Sequence, residues 1–72
     1  MKNNVRTVRM AMGWTQEELA KRIQVSRQTI ISIETARYIP STKLALKIAK
    51  CFKKTVEELF ELEESDFDPD SG

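Results

Sequence analysis

Seventy-two residues with a formal net charge of +1, one cysteine and no histidine limit the chain to one domain with a modest core. An internal disulfide and a structural metal site both need more ligating residues than Cys51 alone, so neither is available and no cofactor is expected. MKNNVRTVRM at the N-terminus is polar and basic, and no stretch approaches the roughly 20 apolar residues of a membrane span; an intracellular, cytoplasmic setting is expected.

The small net charge conceals a division between Lys54 and Thr55. All twelve basic residues lie before it against Glu17, Glu18 and Glu34, a balance of +9, and eight acidic residues follow it, from Glu57 to Asp70. A basic body of that density suits a polyanion, although Lys and Arg also serve as ordinary solubilising residues.

Val5, Val8 and Met12 keep one helical face, and Gly13 stands where a left-handed cap is cheapest, so a first helix is predicted over about residues 3–12. Thr15 and Glu18 form a T-x-x-E capping box, with Trp14 placed as a staple on Leu19; the second helix starts at Gln16 and buries Leu19, Ala20 and Ile23. Ser26 is the next N-cap, which leaves only Gln24 and Val25 for the turn. The third helix covers about 27–35, with Ile30 and Ile33 inward and Arg27, Gln28, Ile31, Ser32 and Thr35 on the opposite face.

A loop with Arg37, Tyr38 and Ile39 ends at Pro40. Ser41 then caps a fourth helix that ends near Phe52, with Leu44, Ala45, Ile48, Ala49 and Phe52 on one stripe. Thr55 and Glu58 make another capping box and open a short fifth helix carrying Val56, Leu59, Phe60 and Leu62. The folded domain is expected over 1–64. From Ser65 to Gly72 the acidic SDFDPDSG lacks periodicity and reads as a disordered tail. No internal repeat and no strand alternation are visible.

The segment TQEELAKRIQVSRQTIISIE, residues 15–34, continued by PSTKLALKIAKCF and TVEELF, resembles the phage-repressor and Cro family of helix-turn-helix regulators, often called the Xre family. The resemblance covers the chain apart from the acidic tail. It implies an all-α, compact, five-helix lambda-repressor-like domain in which the second and third helices form the helix-turn-helix. It also implies that the helix at 27–35 enters the major groove, and that a homodimer binds a pseudo-palindromic operator on double-stranded DNA. Three positions depart from the family pattern: Gln24 replaces a turn glycine, Thr35-Ala36 replaces Asn-Gly, and Lys53-Lys54 replaces a Gly-Val-like turn.

On that resemblance, Arg27, Gln28, Ile31 and Ser32 are the candidate base contacts. Arg suits guanine O6 and N7, Gln suits adenine N6 and N7, and Ile31 suits a thymine methyl; a solvated helix face is the plainer alternative. Gln16, at the first position of the second helix, matches a phosphate-bonding position. Arg37 and Lys43 flank the loop that lies along the backbone in relatives, and Thr35 joins them. Thr29 bonds either its own backbone or a phosphate. The resemblance pairs Arg9 with Glu34 inside the protein, and Cys51, Trp14, Tyr38 and Phe52 read as packing residues. Relatives often dimerise through the C-terminal region, and the fifth helix is too short to bury Val56, Phe60 and Leu62 together, so these three are the candidate dimer interface.

Nothing in the chain suits an enzyme: it has no histidine, no activated nucleophile and no glycine-rich phosphate loop. The competing function is an antitoxin or accessory module that uses the same fold to bind another protein.

Overall fold

The computed structural model describes residues 1–68. Five helices follow in order: α1 (Val5–Ala11), α2 (Gln16–Ile23), α3 (Arg27–Glu34), α4 (Thr42–Phe52) and α5 (Val56–Leu59). Their starts are set by short polar caps. The Thr15 and Thr55 hydroxyls accept the N–H of Glu18 and Glu58, and each glutamate returns a bond to its threonine's N–H, closing two capping boxes. Ser26 and Ser41 each accept the N–H three residues on, at 3.2 Å.

Four helices stop the same way. After α1, α2, α3 and α4 one residue turns left-handed: Gly13 (φ 75), Gln24 (φ 61), Ala36 (φ 60) and Lys53 (φ 57). The next N–H reaches back five residues, as Val25 does to the Ala20 carbonyl and Arg37 to the Ser32 carbonyl, both 2.9 Å. This is the Schellman arrangement, and it satisfies carbonyls that the helix end would otherwise leave bare. The positions that depart from the family pattern therefore keep the left-handed geometry without glycine, at a steric cost near the Cβ.

The core is one cluster formed by Val5, Leu19, Ala20, Ile23, Ile30, Ile33, Ile48, Ala49, Phe52, Leu59 and Phe60. Trp14 stacks on Phe52, with ring centroids 5.6 Å apart, and the Arg22 guanidinium covers the indole at 4.1 Å. Cys51 sits half-buried at the edge of this core. Burial pushes its thiol pKa up, against a weaker opposing pull from Arg22.

Three features differ from the sequence reading. The first helix, expected from about residue 3, starts at Val5, and Asn3 belongs instead to a strand, β1 (Lys2–Asn3), antiparallel to β2 (Phe60–Glu61), with Asn3 opposite Phe60. Asn3 and Asn4 favour this because their side chains bond the backbone: Asn3 accepts the Val5 N–H and donates to the Ile33 carbonyl at 2.9 Å. The fifth helix ends at Leu59 because Phe60 is extended and belongs to β2. Finally, residues that open the expected tail form a 3-10 turn, Glu64–Phe67, closed by the Glu63 N–H donating to Asp66 at 2.7 Å. The Met1 amine lies 3.0 Å from Glu63 and 3.2 Å from Asp66, tying this turn to the start of β1. Residues 69–72 of the expected tail lie outside the described residues.

Candidate nucleic-acid interface

The αL conformation of Gln24 and the cap at Ser26 turn the chain between α2 and α3 within three residues. Ile30 and Ile33 then fix the rotation of α3 by filling the core, both fully buried. With that face committed, Arg27 and Gln28 stand exposed on the first turn of α3, and Ile31 and Ser32 are half-exposed on the next. The sequence-predicted set thus shares one surface.

Residues expected along the phosphate backbone are placed less uniformly. Arg37 and Lys43 are exposed. Gln16 is half-buried, and its amide donates to Glu34 Oε1 at 3.1 Å, which uses one of its two hydrogens and leaves the second. Thr35 donates its hydroxyl proton to the Ile31 carbonyl at 2.8 Å, so its oxygen has only acceptor capacity left. The Thr29 hydroxyl lies 3.0 Å from Ser26 Oγ, a side-chain pairing that the sequence does not suggest. Arg9, Thr15, Gln16, Glu17 and Arg27 line a concavity of about 390 Å³ where the start of α2 meets α3.

The support beneath this surface is ionic. Arg9 Nε donates to Glu34 Oε2 at 2.7 Å, and a second guanidinium nitrogen reaches Oε1 at 3.3 Å. A third bond goes to the Trp14 carbonyl at 2.7 Å. The two side chains are 11% and 3% exposed, so the pair is desolvated but hydrogen-bonded on nearly every side.

Tyr38 is not a packing anchor. It is 44% exposed, and its backbone N–H donates to the Ser32 carbonyl at 3.2 Å, which folds the loop back along α3. It lines a concavity of about 310 Å³ with Ser26, Gln28, Thr29 and Ser32. In the sequence, the only sign of this placement is the turn that must follow α3 at Thr35-Ala36.

The expected dimer residues separate. Phe60 is only 8% exposed and belongs to the protomer's own core, because pairing of β2 with β1 turns its ring inward. Leu62, just beyond β2, is 60% exposed. Val56 is half-buried and lines an apolar groove of about 250 Å³ with Met1, Ile39, Pro40, Thr42, Ala45, Leu46 and Phe60, in which Ile39 and Leu46 stand exposed. Among the described residues no helix is long and apolar enough to cross a membrane.

Comparison with known proteins agrees with this geometry. Residues 5–59 match the model of a family described as Helix-turn-helix. The chain is 50% identical over 66 residues to an HTH-type transcriptional regulator of Methanocaldococcus jannaschii, covering 92% of this chain and 100% of that protein. It is 47% identical over 64 residues to an HTH-type transcriptional regulator of Bacillus subtilis, covering 89% and 97%. Among solved structures it resembles a hypothetical transcription factor from Neisseria, with a TM-score of 0.71 at 27% identity. That match covers 76% of this chain and 62% of the Neisseria chain, so this chain spans less than two thirds of that protein.

Proposed function

The chain belongs to the phage-repressor and Cro (Xre) family of helix-turn-helix regulators, and from that premise we propose that it is a sequence-specific repressor that reads double-stranded DNA through the major groove with α3. The observation that carries the reading is the outer face of α3. Arg27 and Gln28 project from its first turn with no side-chain hydrogen bond or ion pair to another described residue, while Ile30 and Ile33 lock the helix from behind. Arg27 is assigned to guanine, Gln28 to adenine, and Ile31 and Ser32 to adjacent base edges. Gln16, Thr29, Thr35, Arg37 and Lys43 meet phosphates and fix register rather than sequence. Thr35 does so only as an acceptor through a bridging water, given its bond to Ile31. The site of action is the cytoplasm, with the DNA.

The regulator acts as a homodimer on a pseudo-palindrome, with recognition helices about 34 Å apart. The self-association surface is the apolar groove of Val56 with exposed Ile39 and Leu46, together with exposed Leu62 beyond β2; Phe60 supports the groove from inside. An antitoxin or accessory role would place a different protein on that same surface. Selection from random duplexes is the deciding experiment. Enrichment of a two-fold-related sequence, bound with strong salt dependence, supports the repressor; a stable complex with another protein and no enriched sequence supports the alternative.

A further inference from the structure

Two concavities flank the outer face of α3, and their chemistry differs. One, at the start of α2, holds Arg9, Gln16, Glu17 and Arg27 and is charged. The other is lined by Ser26, Gln28, Thr29, Ser32 and Tyr38, with no Lys, Arg, Asp or Glu among them, in a body whose basic excess is +9. Amides and hydroxyls bond phosphates as well as base edges, but only a base offers an apolar group, the C5-methyl of thymine, for an aromatic ring to pack against. This concavity sets the one aromatic residue of its lining, Tyr38, beside Gln28 and Ser32 of the exposed recognition face, where such a methyl would lie.

Resting on the regulator reading, we propose that Tyr38 is a specificity-determining residue. Its ring forms the wall against which the C5-methyl of thymine packs, while Gln28 across the concavity bonds an adenine. The sequence hides this role, because Tyr38 lies outside the helix-turn-helix. It reaches α3 only because Ala36 adopts a left-handed conformation (φ 60) and both the Arg37 and Tyr38 N–H groups close on the Ser32 carbonyl, at 2.9 and 3.2 Å. Those two bonds fix the loop before DNA arrives, so the ring is preorganised rather than recruited. At 44% exposure it retains ring surface to bury.

The test uses the full chain and the duplex it selects from a random library. Replacing each thymine in turn by deoxyuridine removes one methyl. At one position per half-site the wild-type protein should lose about fourfold in affinity, the value of one buried methyl group. Tyr38→Ala should bind thymine and uracil there equally and select a broader set of bases at that position. Tyr38→Phe should keep the discrimination, since the ring remains. The wild-type comparison requires no variant to fold. Uracil tolerated at every position overturns the proposal. So does discrimination that survives Tyr38→Ala but disappears in Ile31→Ala, or a Tyr38→Ala effect that weakens all sequences equally, which would mark a phosphate contact. Failure to enrich any sequence overturns the regulator reading and this proposal together; enrichment with indifference to uracil overturns this proposal alone.

Discussion

Glu34 on α3 receives Arg9 from α1 at 2.7 Å and Gln16 from α2 at 3.1 Å, so one buried carboxylate joins all three helices that shape the candidate interface. Removing one partner leaves a charge in a desolvated site. Arg9→Ala or Glu34→Ala should therefore cost about 3 to 5 kcal/mol, measured by urea denaturation, with Glu34→Ala toward the lower figure because 11% of the arginine side chain it strands meets water, against 3% of the glutamate stranded by Arg9→Ala. The double variant Arg9→Met/Glu34→Leu should be more stable than either single variant, since it strands no charge. Equal stability for wild type and Glu34→Ala would show that the pair contributes nothing.

The left-handed helix stops carry avoidable strain. Gln24→Gly, Ala36→Gly and Lys53→Gly should each raise stability by roughly 0.5 to 1 kcal/mol, the Cβ penalty less the extra entropy glycine loses on folding. Gly13→Ala should lower it by about 1 kcal/mol. No atom lies within 4 Å of a Cβ built there, so the whole cost is conformational. Thermal melts of the four variants supply the comparison, and destabilisation by all three glycine substitutions would refute it.

Base and phosphate contacts should separate by their salt dependence. Arg27→Ala and Gln28→Ala should each relax preference at one position per half-site, losing about 1 to 3 kcal/mol there. Lys43→Ala should weaken every sequence alike and reduce the slope of log K against log salt by about 1 per contact. Unchanged base preference in both α3 variants would remove the groove-reading assignment.

Self-association should respond to the exposed apolar surface and not to the core beneath it. Leu62→Glu and Leu46→Glu should shift sedimentation toward the protomer while leaving the melting temperature of the protomer near its original value, because both side chains are mostly exposed. Phe60→Ala should instead cost about 3 to 5 kcal/mol of folding stability. A single protomer on the specific duplex would sink the dimer reading.

Acid should weaken the start of α5. The Thr55 N–H, and after it the Thr55 hydroxyl, hold the Glu58 carboxyl below the ordinary glutamate range, with a smaller contribution from Lys54. A folded-state pKa below the unfolded one means that the cap's contribution is present at neutral pH. It is lost as pH falls from the unfolded pKa through the folded one. Carboxyl NMR titration should find the Glu58 midpoint lower in the folded chain than in urea, and Glu58→Gln should flatten the acid limb of stability. Coincident midpoints would show that the capping box does not bind the carboxylate preferentially.

Helix starts and the buried faces were legible because their causes are local. A threonine with glutamate three residues on, or a serine before an apolar run, satisfies the first N–H groups wherever the helix later packs. The 3.6-residue period then brings Ile30 and Ile33 inward and leaves Arg27 and Gln28 outward without knowledge of any neighbour. What only the tertiary structure decided depends on groups far apart in sequence. Asn3 leaves the first helix because its amide reaches the Ile33 carbonyl and its backbone pairs opposite Phe60. That pairing, absent from any local pattern, buries the ring of Phe60 and leaves Leu62 exposed. Gln16 likewise meets Glu34 from eighteen residues away, and Tyr38 joins the recognition face through a loop whose course is set by the Ser32 carbonyl. A two-residue strand and a pair of loop hydrogen bonds have no periodicity or composition to announce them, since their stabilisation comes from partners that the folded chain alone brings within reach.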